Sequence, residues 1–312
     1  MTLLRSVLRT ISRLRIWLSC LAFVLLIVTT QQNRNLVRQW LLRPGGGKET
    51  TIPKHVWQIY FPPEGGDTHN QLRNVPEWTR NAFGFKHTLV GQDIGDAFME
   101  EHFDSRTNDV YRLIRNPALK SDFLRYAILL QKGGYYSDLD TKPVKPLVDW
   151  LPKEFNGKVG LLIAPEHDDG INPEGWWPHP VQICQWTFAA APGHPALERM
   201  LQRAIAGLED LANAQAVPLD QIRPLDREVL NATGPPAWTE VVFETIRDMA
   251  PEITTYEDLS RLSEPRLFGD ILLLPLDAFT SLNEEEKAAL EGLGQHQLVH
   301  HEFAGAWKSW TG

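Results

Sequence analysis

Two aspartates separated by one residue, Asp138 and Asp140, are the part of this sequence best suited to chemistry. They follow two tyrosines in a run that predicts a short strand from Tyr135 to Leu139. Residues two apart on a strand point to the same face, with Cα atoms about 6.5 Å apart, so we expect the two carboxylates to converge. Two hard oxygen ligands suit Mn²⁺ or Mg²⁺ bridging a diphosphate, and such an ion would act as a Lewis acid on a departing phosphate.

A predicted helix directly before this strand carries a second charged pair. Between Ser121 and Lys132 the apolar residues share one broad face, with Ser121 as the expected N-cap and Gly133–Gly134 as the sharp turn that ends the helix. Asp122 and Arg125 lie at i and i+3 on a flank largely opposite the apolar face, so we expect both to be free to bind a ligand. Each pair alone is a common feature of solvated surfaces. Their combination with the double glycine and the aromatic strand predicts a site.

Strands and helices alternate along residues 51–312, which predicts an α/β sheet with crossover connections. Strands are predicted near residues 54–60, 87–90, 135–139, 159–164, 186–191, 271–274 and 297–300, and helices near residues 93–103, 106–115, 121–132, 195–213 and 236–249. The last strand is expected to finish the sheet.

Composition excludes several classes of protein. The 312 residues are 43% hydrophobic, which provides for a sizeable core, and the net charge of −8 argues against a nucleic-acid partner. Only Cys20 and Cys184 are present, so a disulfide scaffold and a cysteine-rich zinc site are excluded.

The first fifty residues differ from the rest of the chain. Four arginines precede an uncharged apolar run, which predicts a cytosolic tail at residues 1–15, a transmembrane signal anchor at 16–30, a stem at 31–50 and a globular domain at 51–312. A cleaved signal peptide and a buried core helix are the alternatives. No small-x-small cleavage site follows the run, and a core helix is not expected behind four arginines.

The segment from Lys120 to Asp140 resembles the signature of glycosyltransferases that share a DXD sugar-binding region. More narrowly, residues 52–310 resemble the fungal initiation-specific α-1,6-mannosyltransferases of glycosyltransferase family 32. The other segments that carry the resemblance are Ile52–Gln58, Gln185–Thr187, Ala191–Pro195, Thr233–Pro235, Trp238–Thr239 and His301–Lys308. The resemblance implies the nucleotide-sugar transferase (GT-A) fold, a Rossmann-like mixed sheet flanked by helices, here preceded by an N-terminal transmembrane helix.

The resemblance also implies roles for the charged residues and for one aromatic residue. Asp138 would contact the ribose and the metal-bound phosphate, and Asp140 would ligate the ion directly. Asp122 and Arg125 would hold hydroxyls of the donor sugar. Trp57, on the first predicted strand, would stack near the guanine base, with an ordinary place in the core as the alternative.

The end of the chain and one loop complete the implied site. His301 would be the third metal ligand, with the adjacent His300 as the alternative, and Lys308 would offset charge on the departing phosphate. The segment Thr233–Pro235, with Gly234 at its centre, would be an active-site loop whose backbone approaches the donor closely. A simple turn before a helix is the alternative reading of that loop.

The activity implied is that of a retaining α-mannosyltransferase that moves mannose from GDP-mannose to an N-glycan mannose with Mn²⁺ or Mg²⁺. We expect front-face attack, because no placed nucleophile is evident. The implied setting is the Golgi membrane, with a single-pass type II anchor, a lumenal catalytic domain, an oligomannose glycan or glycoprotein acceptor, and a possible complex with other mannosyltransferases. Two alternatives stay open: transfer to a sphingolipid headgroup, and a non-catalytic scaffolding subunit of a mannan-synthesising complex. The complete Asp/Asp/His/Lys set favours catalysis.

Overall fold

The computed structural model describes residues 51–62, 71–168, 170, 177–280 and 296–305. The predicted cytosolic tail, transmembrane anchor and stem at residues 1–50 lie outside the described residues, as does Lys308. Within the described ranges, no helix is both long and apolar enough to cross a bilayer.

A seven-stranded mixed β-sheet forms the centre of the described chain. The described strands are β1 His55–Ile59, β2 Lys86–Val90, β3 Gly134–Ser137, β4 Thr141–Pro143, β5 Leu161–Ile163, β6 Pro165–Asp168, β7 Val181–Ile183, β8 Thr187–Ala190, β9 Arg266–Phe268, β10 Ile271–Leu273 and β11 Val299–His301. The sheet has the order β2-β1-β3-β8-β5-β10-β9. β1 pairs in parallel with β2 and β3, and β8 runs antiparallel to both β3 and β5. β3 and β5 therefore run in the same direction.

Helices cover the sheet, and the buried apolar residues form two clusters. The helices are α1 Val75–Asn81, α2 Gln92–His102, α3 Ser105–Leu113, α4 Pro117–Lys132, α5 Pro195–Gln215, α6 Asp226–Thr233 and α7 Pro235–Met249. Side chains alternate between the two faces of a strand, so Tyr136 lies in the larger cluster, where it packs on Phe188, whereas Tyr135 packs with Trp150 in the smaller cluster. The predicted α/β architecture, a mixed sheet with flanking helices, is confirmed.

The start of α4 differs from the prediction. Asn116 is the N-cap, and its Oδ1 accepts hydrogen bonds from the amides of Ala118 at 2.9 Å and Leu119 at 3.2 Å. Pro117 occupies the first turn, where its missing N–H is not needed. Ser121 therefore lies inside the helix, and its prediction as the N-cap is wrong. Gly133 is confirmed as the residue that ends α4, with φ of 63°.

Two strand predictions also need correction. β3 ends at Ser137, and the residues up to Asp140 form a turn rather than the predicted strand end. β11 pairs antiparallel with β4 in a separate two-stranded sheet, so it does not finish the central sheet.

Candidate active site

Polar residues from three adjacent strands gather at one edge of the sheet. Asp138 directly follows β3, Glu166 lies in β6, which begins shortly after β5 ends, and Gln185 and Trp186 precede β8, which runs between β3 and β5. Neighbouring strands lie about 4.8 Å apart, so these segments are within side-chain reach of one another. Ligands of open α/β sheets bind outside the carboxyl ends of such strands.

A turn, not a strand, positions the two aspartates of the Asp-x-Asp pair. The Asp138 amide donates to the Trp186 carbonyl at 2.8 Å. The Asp138 carbonyl accepts from Gln58 Nε2 at 3.2 Å and from the Thr141 hydroxyl at 2.5 Å. Burial raises the pKa of Asp138, and the charge of Asp140 raises it further. The two carboxylates therefore act on each other, although the predicted reason, alternation along a strand, is wrong.

Arg125 is the centre of a charged cluster that it forms with Asp122 and Asp138. Its Nη2 lies 3.0 Å from Asp122 Oδ1 and 3.2 Å from Asp138 Oδ1, and its Nη1 donates to Gln185 Oε1 at 2.7 Å. The guanidinium carbon lies 4.7 Å from the centre of the Tyr136 ring. Burial would lower the pKa of Arg125, but the carboxylate charges outweigh burial and raise it. The expectation that Asp122 and Arg125 are free is wrong, because both are buried and bound to each other.

Asp122 is also held by residues far away in the sequence. The Thr233 hydroxyl donates to its Oδ2 at 2.7 Å, and Gln185 Nε2 donates to its Oδ1 at 3.2 Å. The Tyr126 hydroxyl lies 2.9 Å from Gln185 Oε1 and 3.0 Å from the Thr233 carbonyl oxygen. Burial raises the pKa of Asp122, against the effect of the neighbouring guanidinium. The segment around Gly234 thus reaches the charged cluster through Thr233.

His301 brings the last described strand to Asp140. Its Nε2 lies 3.1 Å from Asp140 Oδ1, and its ring stacks on Trp186 with centroids 4.4 Å apart. The Ala304 amide donates to Asp140 Oδ2 at 3.0 Å. Burial would raise the pKa of Asp140, but the interactions with His301 and the Ala304 amide lower it. His300 is exposed, so the structure brings His301 and not His300 to the carboxylates.

A clamp at Glu302 fixes this end of β11. Glu302 accepts from Lys142 Nζ at 2.5 Å and from Asn74 Nδ2 at 3.0 Å, and it forms a salt bridge with Arg73. Burial would raise the pKa of Glu302, but these three donors lower it to about 2. The clamp ties β11 to β4 and to the start of α1.

The structure does not bring Trp57 to the carboxylates. Its indole Nε1 donates to the Gly133 carbonyl at 2.9 Å, and its ring stacks on His55 with centroids 3.5 Å apart. Gly133 precedes β3, whereas Asp138 follows it, so this contact lies at the opposite end of the strand. Stacking of Trp57 on a base stays a prediction that these contacts do not support.

Gly234 joins α6 to α7, so the alternative reading, a turn before a helix, also describes it correctly. A Cβ at this position would lie 2.8 Å from backbone atoms of Leu230, which requires glycine at so close a joint. Contact of Gly234 with a donor stays a prediction, and Lys308 lies outside the described residues.

Glu166 is a residue of this edge that the sequence analysis did not single out. Its Oε1 accepts from Gln182 Nε2 at 2.7 Å, and its Oε2 accepts from Trp186 Nε1 at 3.1 Å. Burial raises the pKa of Glu166 to about 7, with smaller opposing effects from the hydrogen bonds and His301. The charge of Asp138 also acts on Glu166, so the two carboxyl groups share one electrostatic environment.

A cavity lies beside the start of α4, near the carboxyl ends of β1 and β2. Its volume is about 570 Å³, and Phe61, Arg112, Arg115 and Lys120 are among the residues that line it. Lys120 Nζ is 3.4 Å from Asp96 Oδ1 and Arg112 forms an ion pair with Glu100 at 4.0 Å, so the three cations of the lining outnumber their carboxylate partners. The cavity suits an anionic ligand.

The donor atoms at the turn are of the right kind for a divalent cation. Among the described residues, no three His, Cys, Asp or Glu side chains are grouped as a formed metal site. Asp140 Oδ1 and His301 Nε2 are 3.1 Å apart, close to the roughly 3 Å between adjacent ligands of an octahedral ion with bonds of about 2.1 Å. Asp138 Oδ1 accepts from the Tyr136 hydroxyl at 2.6 Å and pairs with Arg125. The residues therefore fit a cation, with Asp140 and His301 as adjacent ligands.

Residues 68–156 match the family described as "Glycosyltransferase sugar-binding region containing DXD motif". The match includes the charged cluster and Asp140. This segment is therefore similar to the sugar-binding region of these glycosyltransferases, and the resemblance found in the sequence is confirmed.

Three relatives with similar sequences carry glycosyltransferase names, and two of them share the same name. The chain is 31% identical to the initiation-specific alpha-1,6-mannosyltransferase of Schizosaccharomyces pombe, over 82% of this chain and 64% of that protein. It is 28% identical to the enzyme of the same name from Candida albicans, over 82% and 72% of the two chains. It is 28% identical to the putative glycosyltransferase HOC1 of Saccharomyces cerevisiae, over 75% and 60%. The chain therefore spans less than two thirds of the first and third of these relatives.

Among solved structures, the chain is similar to the PaToxG glycosyltransferase, with a TM-score of 0.43 and 14% identity over 73% of this chain and 79% of that one. It is also similar to mouse xyloside xylosyltransferase 1, with a TM-score of 0.41 and 11% identity over 82% and 99%.

Proposed function

We propose that this chain is a metal-dependent, retaining α-mannosyltransferase that moves mannose from GDP-mannose to a mannose hydroxyl of an N-glycan. The observation that carries the proposal is the buried pairing of Arg125 with Asp122 and Asp138 inside the matched sugar-binding region. The names of the relatives support mannose as the sugar and α-1,6 as the linkage, of the kind that initiates an outer chain.

The charged cluster supports binding of the donor sugar. A carboxylate accepts and a guanidinium donates hydrogen bonds, so Asp122 and Arg125 are of the kinds that a pair of sugar hydroxyls needs, and a bound sugar would take the place of some of their present partners. Gln185 and Thr233 fix the two side chains, so little conformational entropy is lost when the sugar binds. The basic cavity beside α4 is at the same edge of the sheet and would receive the anionic nucleotide.

The turn after β3 supports a metal ion beside the diphosphate. Asp138 and Asp140 would hold Mn²⁺ or Mg²⁺ with His301. When bound, the ion supplies positive charge to the leaving diphosphate. Lys308 would add a second positive charge there, and Trp186 under the His301 ring keeps that imidazole oriented.

The wider setting is proposed from the sequence. We propose that the apolar run at residues 16–30 anchors the chain in the Golgi membrane as a single-pass type II protein, with residues 51–312 in the lumen. The acceptor would be an oligomannose glycan or glycoprotein. Association with other mannosyltransferases belongs to the same proposal.

The test compares carboxylate variants of the full-length chain. GDP release from GDP-mannose and transfer to an oligomannose acceptor are measured with Mn²⁺ and with EDTA. We expect Asp138→Asn and Asp140→Asn to abolish transfer, and Asp149→Asn, which alters an exposed aspartate, to leave it unchanged. Product linkage is read by NMR.

Three results would contradict the proposal. Full transfer in both site variants would exclude the metal-bound diphosphate. Transfer only to a sphingolipid headgroup would move the chain to another acceptor class. Donor binding without any transfer would support a scaffolding subunit.

A further inference from the structure

In the proposed reaction the acceptor hydroxyl needs a hydrogen-bond partner that can take its proton. The charged cluster is assigned to the donor sugar, so this partner must lie elsewhere. Glu166 lies at the same edge of the sheet, beyond β5, and β8 separates β5 from β3. Two strand spacings place the ends of β3 and β5 about 10 Å apart. Trp186, in the segment before β8, contacts both sides: its carbonyl accepts from the Asp138 amide and its indole donates to Glu166.

The partners of Glu166 are neutral. Gln182 and Trp186 each donate one hydrogen bond to it, and no lysine or arginine of the described chain forms an ion pair with it. A half-buried carboxyl held this way is costly when charged, and a glutamine would serve a purely structural purpose at lower cost. Gln182 Oε1 is also buried and has no hydrogen-bond donor within reach in the described ranges. The pair thus offers acceptor atoms that a hydroxyl ligand would satisfy.

Resting on the proposed transferase function, we propose that Glu166 is a catalytic residue on the acceptor side, which binds the acceptor hydroxyl and takes its proton. In this step the acceptor oxygen forms a bond to C1 of the mannosyl group on the same face from which the diphosphate departs, and the bond from C1 to the diphosphate oxygen breaks. The diphosphate leaves with the electron pair, and the acceptor proton passes to a Glu166 oxygen. Water then removes that proton as the product leaves.

The electrostatics are consistent with this role. The interactions with His301 and Ala304 lower the pKa of Asp140, whereas burial raises that of Glu166 to about 7, a value suited to a group that accepts and releases a proton near neutrality.

Glu166→Gln tests the inference in the full-length chain, with Glu154→Gln as an exposed control. The substitution is compatible with folding, because Gln182 can rotate its amide and accept from the new side chain. Three quantities are measured for each variant: GDP affinity, GDP release from GDP-mannose without acceptor, and the kcat and KM of transfer to oligomannose.

We expect Glu166→Gln to keep GDP affinity and acceptor-free hydrolysis within about twofold of wild type. Transfer should lose a factor of about 10² to 10⁴ in kcat, the usual contribution of a positioned general base. Glu154→Gln should match wild type in every measurement.

The inference alone is overturned if Glu166→Gln transfers mannose at the wild-type rate, if it loses GDP affinity together with transfer, or if mass spectrometry finds a mannosyl group covalently bound to Glu166. A wild-type chain that neither binds GDP nor releases it from GDP-mannose would instead overturn the proposed function, and the inference with it.

Discussion

Replacing Arg125 by methionine is expected to destabilise the folded chain, because it removes the cation of the charged cluster. The side chain of Arg125 is 5% exposed and forms ion pairs with Asp122 and Asp138, whose side chains are 8% and 27% exposed. Removing one partner from a buried ion pair typically costs about 3–5 kcal/mol. In a domain of this size, 4 kcal/mol corresponds to a fall in Tm of about 8–16 °C at pH 8.

The loss should depend on pH in a defined direction. The pKa values of Asp122 and Asp138 are already raised by burial, and without the guanidinium they rise further. A carboxyl group with a raised pKa in the folded state is tolerated while protonated, so its contribution to stability is lost as pH rises through that pKa. The deficit of Arg125→Met should therefore grow as pH rises above the ordinary pKa of an aspartate, about 3.9, by about 1.4 kcal/mol for each unit by which one pKa increases.

Arg199→Met is the matched control. Arg199 is also buried on a helix, but its ion pair is with Asp248, whose side chain is 31% exposed, and its charge also acts on the exposed Glu244. Thermal unfolding is followed by circular dichroism at pH 5, 6, 7 and 8, together with transfer activity. Arg199→Met should show a weaker dependence on pH, because its carboxylate partners are more exposed than Asp122, and should keep activity. Equal pH profiles for the two variants, or full activity in Arg125→Met, would refute the account of the cluster.

Three further variants and one thiol measurement test local features. Asn116→Ala should lower the free energy of unfolding by about 1 kcal/mol, because it removes the observed N-cap of α4; an unchanged urea midpoint would contradict this. Gly133→Ala should cost more than about 1 kcal/mol, since its φ is 63° and a Cβ would lie 2.7 Å from the Ala190 carbonyl oxygen. Glu302→Gln should lower Tm at pH 7, and because the pKa of Glu302 is lowered the difference should shrink as pH falls from about 4.5 towards 2. Burial raises the pKa of the Cys184 thiol, so mass spectrometry should find it unlabelled by thiol reagents until the chain unfolds.

The sequence predicted the elements better than the contacts between them. Periodicity and turn residues located β1, β2, α2 and α5 closely, because these features depend on local pattern. The start of α4 was misassigned because Ser121 and the Asn116–Pro117 pair are both start signals, and only the capping geometry distinguishes them.

The burial of Asp122 and Arg125 could not be predicted from the helix alone. The periodic pattern placed them on a polar flank, but Gln185 and Thr233 reach that flank from 63 and 111 positions away from Asp122 in the chain. Buried charges need such distant partners, and a helical pattern contains no information on them. The Asp138–Asp140 segment nonetheless predicted correctly which end of the strands carries the candidate site.

The sequence contains only a weak indication that Glu166 belongs to the site. Glu166 follows a buried strand closely, at the end where ligands bind. It is also the first residue of a Glu-His-Asp-Asp run, which in a sequence is typical of a solvated loop. Its hydrogen bonds with Gln182 and Trp186 depend on the β6–β7 pairing, whose register only the structure gives.

The net charge of the site leads to a final prediction, on the metal itself. Asp122, Asp138 and Asp140 carry three negative charges when ionised, and Arg125 compensates one of them, so a divalent cation would neutralise the remainder. A cation that binds only the folded chain stabilises it by about 2.7 kcal/mol at a hundred times its dissociation constant, which is about 5–11 °C in Tm.

Thermal unfolding with Mn²⁺ and GDP should show this increase in the wild-type chain and in Asp149→Asn, and EDTA should reverse it. Asp140→Asn should lose the increase, because it removes both a ligand and one of the two uncompensated charges. If Mn²⁺ stabilises Asp140→Asn as strongly as wild type, the cation binds elsewhere, and the turn after β3 has another purpose.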